Sequence, residues 1–192
     1  MSTKFFNNSP ENTLFDKFKG IAEGMPNFHS FLAVVGYFRS SGYFKLRKEL
    51  ANVQEIKILV GINIDSIFRK HNQALLMLEG DDEAREIYTK DFIQDVKDAQ
   101  YSPDVEEGIL QLCDDIVSGK LQMRIHKSKN LHAKFYLCLP QNFSPNTDGW
   151  VLMGSSNISD SGLGITQPPR YELNVAMKDY DDVAYCKNEF ET

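Results

Sequence analysis

The chain has 192 residues, 42 % of them hydrophobic and 25 % charged, with three cysteines and a net charge of −6. Its length fits one domain spanning 1–192 that buries roughly 70 % of its unfolded surface without disulfide staples, and its composition argues against a disordered or fibrous chain. Cys113, Cys138 and Cys186 form no C-x-x-C pair, which argues against a disulfide framework or thiolate zinc site and fits a reducing, cytoplasmic setting.

Met1 to Phe6 has no long apolar stretch of secretion-signal type, and the longest apolar run, Phe31 to Val35, is far short of the roughly 20 residues that span a membrane. Asn12 to Glu23 is predicted helical, since Leu14, Phe15, Phe18 and Ile21 fall at helical spacing and Gly24 and Pro26 end the pattern. Phe31–Tyr37 reads as a buried strand, Ser41 caps a helix through Leu50, and Lys57–Ile62 is a second buried strand. Helix, strand, helix, strand is the signature of an α/β layer.

Residues 66–119 read as an acidic, mainly helical segment, with a helix starting at Pro103 whose Asp104, Glu106 and Glu107 suit its dipole. Leu121–His126 alternates and is predicted to be a half-exposed strand. His132–Leu139 is the next strand, Pro140–Gly149 a polar loop, Val151–Met153 a short buried strand ending at Gly154-Ser155, and Leu173–Met177 the last strand. A helix from about Asp181 is still running when the chain stops, so the chain reads as a piece of a longer protein, and the resemblance given below implies its N-terminal part.

The charge is unevenly spread. Residues 1–78 carry +4, 79–115 carry −10, 116–147 carry +5 with no carboxylate, and 148–192 carry −5. A net negative chain argues against nucleic acid, but the basic stretch surrounds the residues with the most chemical promise.

His132 and Lys134, two apart on a strand, point to one face. An imidazole and an ammonium projecting together suit a phosphate: one attacks phosphorus, the other holds a phosphoryl oxygen. Gly154, Ser155 and Asn157 follow a buried strand and place a hydroxyl, an amide and backbone N–H groups at a turn, a grouping that binds oxyanions. Glu172 and Asn174 share a strand face, and a carboxylate near an imidazole fixes its tautomer. Taken singly, each pattern is equally at home on an exposed strand or a capped turn.

Together, H-x-K at His132/Lys134, G-S-x-N at Gly154/Ser155/Asn157 and E-x-N at Glu172/Asn174 resemble the phospholipase D superfamily and its H-K-D motif, nuclease branch included. Val34–Gly42 and Ile58–Gly61 are similar to the opening strands of the phospholipase-D-like domain at the N-terminus of bacterial superfamily-2 helicases and some restriction endonucleases. The family's Asp would fall at position 139, which here is Leu139.

The resemblance implies a phospholipase-D-like fold, α/β with a mixed, mostly parallel central sheet flanked by helices. It also implies a phosphodiesterase acting on DNA through a phosphohistidine on His132, without metal or cofactor. Lys134, Ser155, Asn157 and Gly154 would bind phosphate and Glu172 would orient the imidazole. One motif per chain implies a homodimer with the site on its two-fold axis. Lys127, Lys129 and Arg124 are candidate DNA contacts, joined by Arg39, Lys45, Arg47 and Lys48. No Walker motif occurs in the chain, so a fused helicase or ATPase would lie beyond residue 192. A DNA-binding or dimerisation module without turnover is the alternative.

Overall fold

The computed structural model describes residues 4–64, 103–125, 131–168 and 170–192. Among them lie seven strands in one sheet. They are β1 (Phe5–Asn7), β2 (Phe28–Phe38), β3 (Glu55–Ile64), β4 (Leu121–Ile125), β5 (Phe135–Pro140), β6 (Trp150–Gly154) and β7 (Leu173–Met177). The helices are α1 (Leu14–Gly24), α2 (Ser40–Glu49), α3 (Pro103–Val117), the single turn α4 (Asp160–Leu163) and α5 (Tyr180–Glu191). The acidic segment is described only from Pro103, so its 66–102 part lies outside the described residues.

Helix α1 forms for local reasons. Thr13 and Asp16 make a reciprocal capping box, with the Thr13 Oγ1 accepting from the Asp16 N–H at 3.0 Å and the carboxylate accepting from the Thr13 N–H at 3.0 Å. Leu14, Phe18 and Ile21 then bury one stripe against the sheet. There Phe18 meets Phe31 and Tyr136 edge-on, at centroid distances of 5.4 and 5.2 Å.

The strand order is β1-β7-β6-β5-β2-β3-β4. The α/β class and the mixed sheet flanked by helices are as expected from the sequence, but the balance within the sheet is not. Only the β2/β3 and β3/β4 pairs are parallel, while β2/β5, β5/β6, β6/β7 and β1/β7 are antiparallel. Chain length explains the difference: parallel neighbours need a crossover such as α2, whereas β5, β6 and β7 follow one another as a meander.

Two cores sandwich this sheet. The larger, under α1, α2 and α3, includes Phe18, Phe31, Leu46, Ile58, Leu112 and Tyr136. The smaller, under α5, includes Leu32, Val34, Leu137, Val151, Val183 and Cys186. Asp115 of α3, 3 % exposed, joins α2 to this assembly: it accepts from Arg47 Nη2 at 2.9 Å and from the Tyr43 hydroxyl at 3.0 Å. No helix among the described residues is long and apolar enough to cross a membrane.

Candidate active site

The end of β2, the start of β5, the end of β6 and the start of β7 meet at one end of the sheet, and the motif residues gather there. Lys134 immediately precedes β5 and is 9 % exposed. Its Nζ donates to the His132 carbonyl at 2.9 Å and lies 3.5 Å from that residue's Nε2, while His132 itself is exposed. The strand predicted over His132–Leu139 therefore begins later, at Phe135. Pairing with β2 stops at Val34↔Phe135, and β6 reaches back only as far as a Gly154 N–H donating to the Lys134 carbonyl at 3.2 Å. The two side chains still meet, although both precede the strand whose period was expected to bring them together.

Among the described residues no carboxylate lies within ion-pair distance of Lys134. Taking an ammonium out of water costs several kcal/mol unless an opposite charge compensates. The pocket therefore favours an anionic occupant.

Asn157 forms the second wall. Its Oδ1 accepts from the N–H groups of Gly36 at 2.9 Å and Tyr37 at 3.1 Å. A bulge makes these donors available: Val35 faces Val60 but Tyr37 faces Asn63, so two residues of β3, Gly61 and Ile62, oppose Gly36. With Oδ1 occupied twice, Asn157 Nδ2 has no hydrogen-bond partner among the described residues. A Cβ on Gly36 would sit 3.4 Å from Asn157 Oδ1 and 3.7 Å from Lys134 Nζ, so both groups border one small space floored by a glycine.

The turn after β6 differs from expectation in part. Two of its N–H groups are not free for an oxyanion, because Gly154 donates to Lys134 and Ser155 to the Leu173 carbonyl at 3.2 Å. Gly154 is required for a different close approach: a Cβ there would lie 2.3 Å from the Leu173 carbonyl oxygen. The Ser155 hydroxyl donates to Glu172 and accepts from the Leu173 N–H at 3.1 Å. Glu172 and Asn174 are buried and alternate with exposed Tyr171 and Leu173, so they share a face as predicted. Within one chain, however, the Glu172 carboxylate meets Ser155 and, at 3.9 Å, Arg170 rather than His132.

Beneath these groups, Tyr136 donates to the Ser156 carbonyl at 2.7 Å and Asn174 Nδ2 donates to the Ser156 hydroxyl at 3.0 Å. Burial above all, then the nearby Glu172 and Tyr37, push the Tyr136 phenol well above the usual tyrosine range. Gly36, Tyr37, Tyr136 and Ser156 all support the site and escaped the sequence reading. Only Gly36 carried a usable signal, since a glycine inside an apolar strand marks a bulge or close approach.

The basic candidates are scattered. Lys127 and Lys129 lie outside the described residues. Arg124 is exposed on edge strand β4, two strands or about 10 Å from β2. Arg47 is committed to Asp115, and Lys45 pairs with Asp160 at 3.1 Å. Arg39 is exposed at the end of β2 beside the site. Among the described residues no three His, Cys, Asp or Glu side chains gather closely enough to hold a metal ion.

No family model matches the chain, and neither does any curated protein sequence. Solved structures do. Polyphosphate kinase from Porphyromonas gingivalis is 12 % identical, covers 97 % of this chain and 25 % of its own, and superposes with a TM-score of 0.53. At that identity the fold is what is shared, and it is phospholipase-D-like. Phosphatidylserine synthase from Haemophilus influenzae Rd KW20 (15 % identity, 96 % of this chain, 36 % of its own, TM-score 0.48) and yeast tyrosyl-DNA phosphodiesterase (13 %, 90 %, 30 %, 0.47) overlay more loosely. The chain thus spans between a quarter and just over a third of the length of these structures.

Proposed function

We propose that this chain belongs to the phospholipase D superfamily and supplies half of a metal-independent phosphodiesterase active site that cleaves DNA. Two copies would meet about a two-fold axis, within a longer helicase or restriction-type protein. The observation that carries the reading is Lys134: a buried lysine, 9 % exposed, with no carboxylate partner among the described residues, beside an exposed histidine.

In the proposed reaction, His132 Nε2 attacks phosphorus and the bond to the leaving oxygen breaks, giving a phosphohistidine. His132 of the partner subunit donates its proton to that oxygen. It then takes a proton from water, which displaces the imidazole and releases a phosphomonoester. Lys134 and Asn157 Nδ2 hold the non-bridging oxygens as charge builds, and Ser155 with Glu172 sets the rim. The partner copy has a surface to meet, because Tyr171 and Leu173, either side of Glu172, are exposed.

The test is cleavage of labelled DNA in EDTA by the wild type and His132→Ala. Product from the wild type alone supports the reading; activity lost to EDTA or surviving the substitution removes it. One observation favours a second reading, DNA binding without turnover: Glu172 engages Ser155 rather than His132, leaving the imidazole unoriented within one chain. Salt-dependent binding with no product would point there.

A further inference from the structure

Past Asn157, the end of β2 opens onto a cleft of about 480 Å³ lined by Tyr37, Arg39, Ser41, Asp160, Ser161 and Thr166 among others. This cleft shares a wall with the candidate active site. The Tyr37 N–H that holds Asn157 Oδ1 belongs to the same residue whose side chain borders the cleft. Two residues on, the Arg39 N–H donates to the Ile158 carbonyl at 2.8 Å, and Phe38 bridges Ile158. The strand end and the Asn157–Ser159 turn are thus stitched into one unit, and whatever occupies the cleft is held in register with the phosphoryl pocket.

The lining has a definite chemistry. The Arg39 guanidinium carbon stands 5.8 Å from the centre of the Tyr37 ring, within cation–π range. Arg39 has no ion pair among the described residues and is exposed. Among the described residues the one carboxylate lining the cleft, Asp160, is met by Lys45 at 3.1 Å, so their local balance is positive. Ser41, Ser161 and Thr166 add hydroxyls that donate or accept.

An aromatic face, an arginine fork and hydroxyls are the parts of a single-strand nucleic-acid groove, where bases stack on rings and cations follow the backbone. We infer that this cleft holds the nucleotide flanking the scissile phosphate of single-stranded DNA, with Tyr37 against the base and Arg39 on the neighbouring phosphate. The inference rests on the phosphodiesterase reading above. A base stacked within a duplex has no free face to offer Tyr37, and the volume lies in the range that encloses one small-molecule-sized unit.

The experiment is fluorescence anisotropy on the full chain carrying His132→Asn, titrated with a short fluorescein-labelled DNA single strand, its duplex and an RNA of the same sequence. The DNA single strand binds tightest. Arg39→Gln weakens it roughly tenfold and flattens the slope of log affinity against log salt by about 0.7, the share of one phosphate contact. Tyr37→Ala weakens it roughly tenfold with the slope unchanged, and Tyr37→Phe restores it. Thermal melts show that each variant is folded. Affinity unchanged in both Arg39→Gln and Tyr37→Ala overturns the assignment, as does duplex or RNA bound as tightly as the DNA single strand. Cleavage surviving His132→Ala would instead remove the phosphodiesterase reading, and these affinities would still decide what the cleft holds.

Discussion

The ammonium nitrogen of Lys134 stands 3.5 Å from Nε2 of His132 and bonds the carbonyl of that same residue at 2.9 Å. The lysine is thus tied to the backbone beside the proposed nucleophile and has no carboxylate partner among the described residues. In the proposed reading its charge costs the fold something and serves the occupant of the pocket. Lys134→Met keeps the volume and removes the charge. Its thermal midpoint should match or exceed that of the wild type, because an uncompensated buried ion is lost. DNA cleavage in EDTA should fall by about 100- to 1,000-fold, the usual loss for one electrostatic donor. A variant that melts much earlier, or cleaves normally, contradicts this role.

Asn157 separates stability from chemistry within one side chain. Its Oδ1 satisfies the N–H groups of Gly36 and Tyr37, and its Nδ2, without a hydrogen-bond partner among the described residues, is the atom proposed to meet substrate. Asn157→Ala strands both N–H groups and should destabilise the fold by about 1–3 kcal/mol, besides losing activity. Asn157→Asp keeps an acceptor and loses the donor, so it should retain more of the stability while cleavage still falls. Denaturant melts and cleavage rates on the two variants check the split.

Much of this arrangement was legible beforehand. Strands β2 and β3 announced themselves as apolar runs, and Leu173–Met177 was bounded correctly, because burial on both faces or strict alternation leaves a mark in composition. The meeting of His132 and Lys134 was expected from a strand period, yet both residues precede β5. What could not be read was where main-chain hydrogen bonds go. The N–H groups of Gly154 and Ser155 are consumed by Lys134 and Leu173, while those of Gly36 and Tyr37 are released by a bulge in β3. Both outcomes depend on register between distant strands. The predicted majority of parallel pairs failed for the same reason, since β5 joins β2 antiparallel across nearly a hundred residues of chain.

Two glycines at this end of the sheet make opposite predictions. A Cβ at Gly61 would lie 2.5 Å from the Gly36 carbonyl oxygen, backbone against backbone, so Gly61→Ala must shift β2 or β3. It should destabilise by about 1–3 kcal/mol, as overpacking does. A Cβ at Gly36 meets Asn157 and Lys134 only at ordinary contact distance. Gly36→Ala should therefore melt close to the wild type, yet its methyl group intrudes between the two groups proposed to hold the phosphate. A raised KM for DNA with a near-native melting midpoint is the expected result, and an unchanged KM would place the phosphate elsewhere.

Alkali probes the buried tyrosines. Burial first, then Asp115, holds the Tyr43 phenol above the ordinary tyrosine range, and burial does the same for Tyr136. A phenol with its pKa raised by folding stabilises the native state fully below its unfolded pKa of about 10. That stabilisation is lost as pH climbs from there towards the folded value, because the unfolded chain ionises first. Absorbance titration follows the ionisation of the phenols while circular dichroism follows unfolding. Tyr43 and Tyr136 should ionise only together with cooperative unfolding. Tyr43→Phe removes one of these groups. It should cost about 1 kcal/mol near neutral pH, where the hydrogen bond to Asp115 is lost, and make the decline in stability above pH 10 shallower. Ionisation of Tyr43 and Tyr136 near pH 10 with no unfolding step would contradict the burial of both phenols.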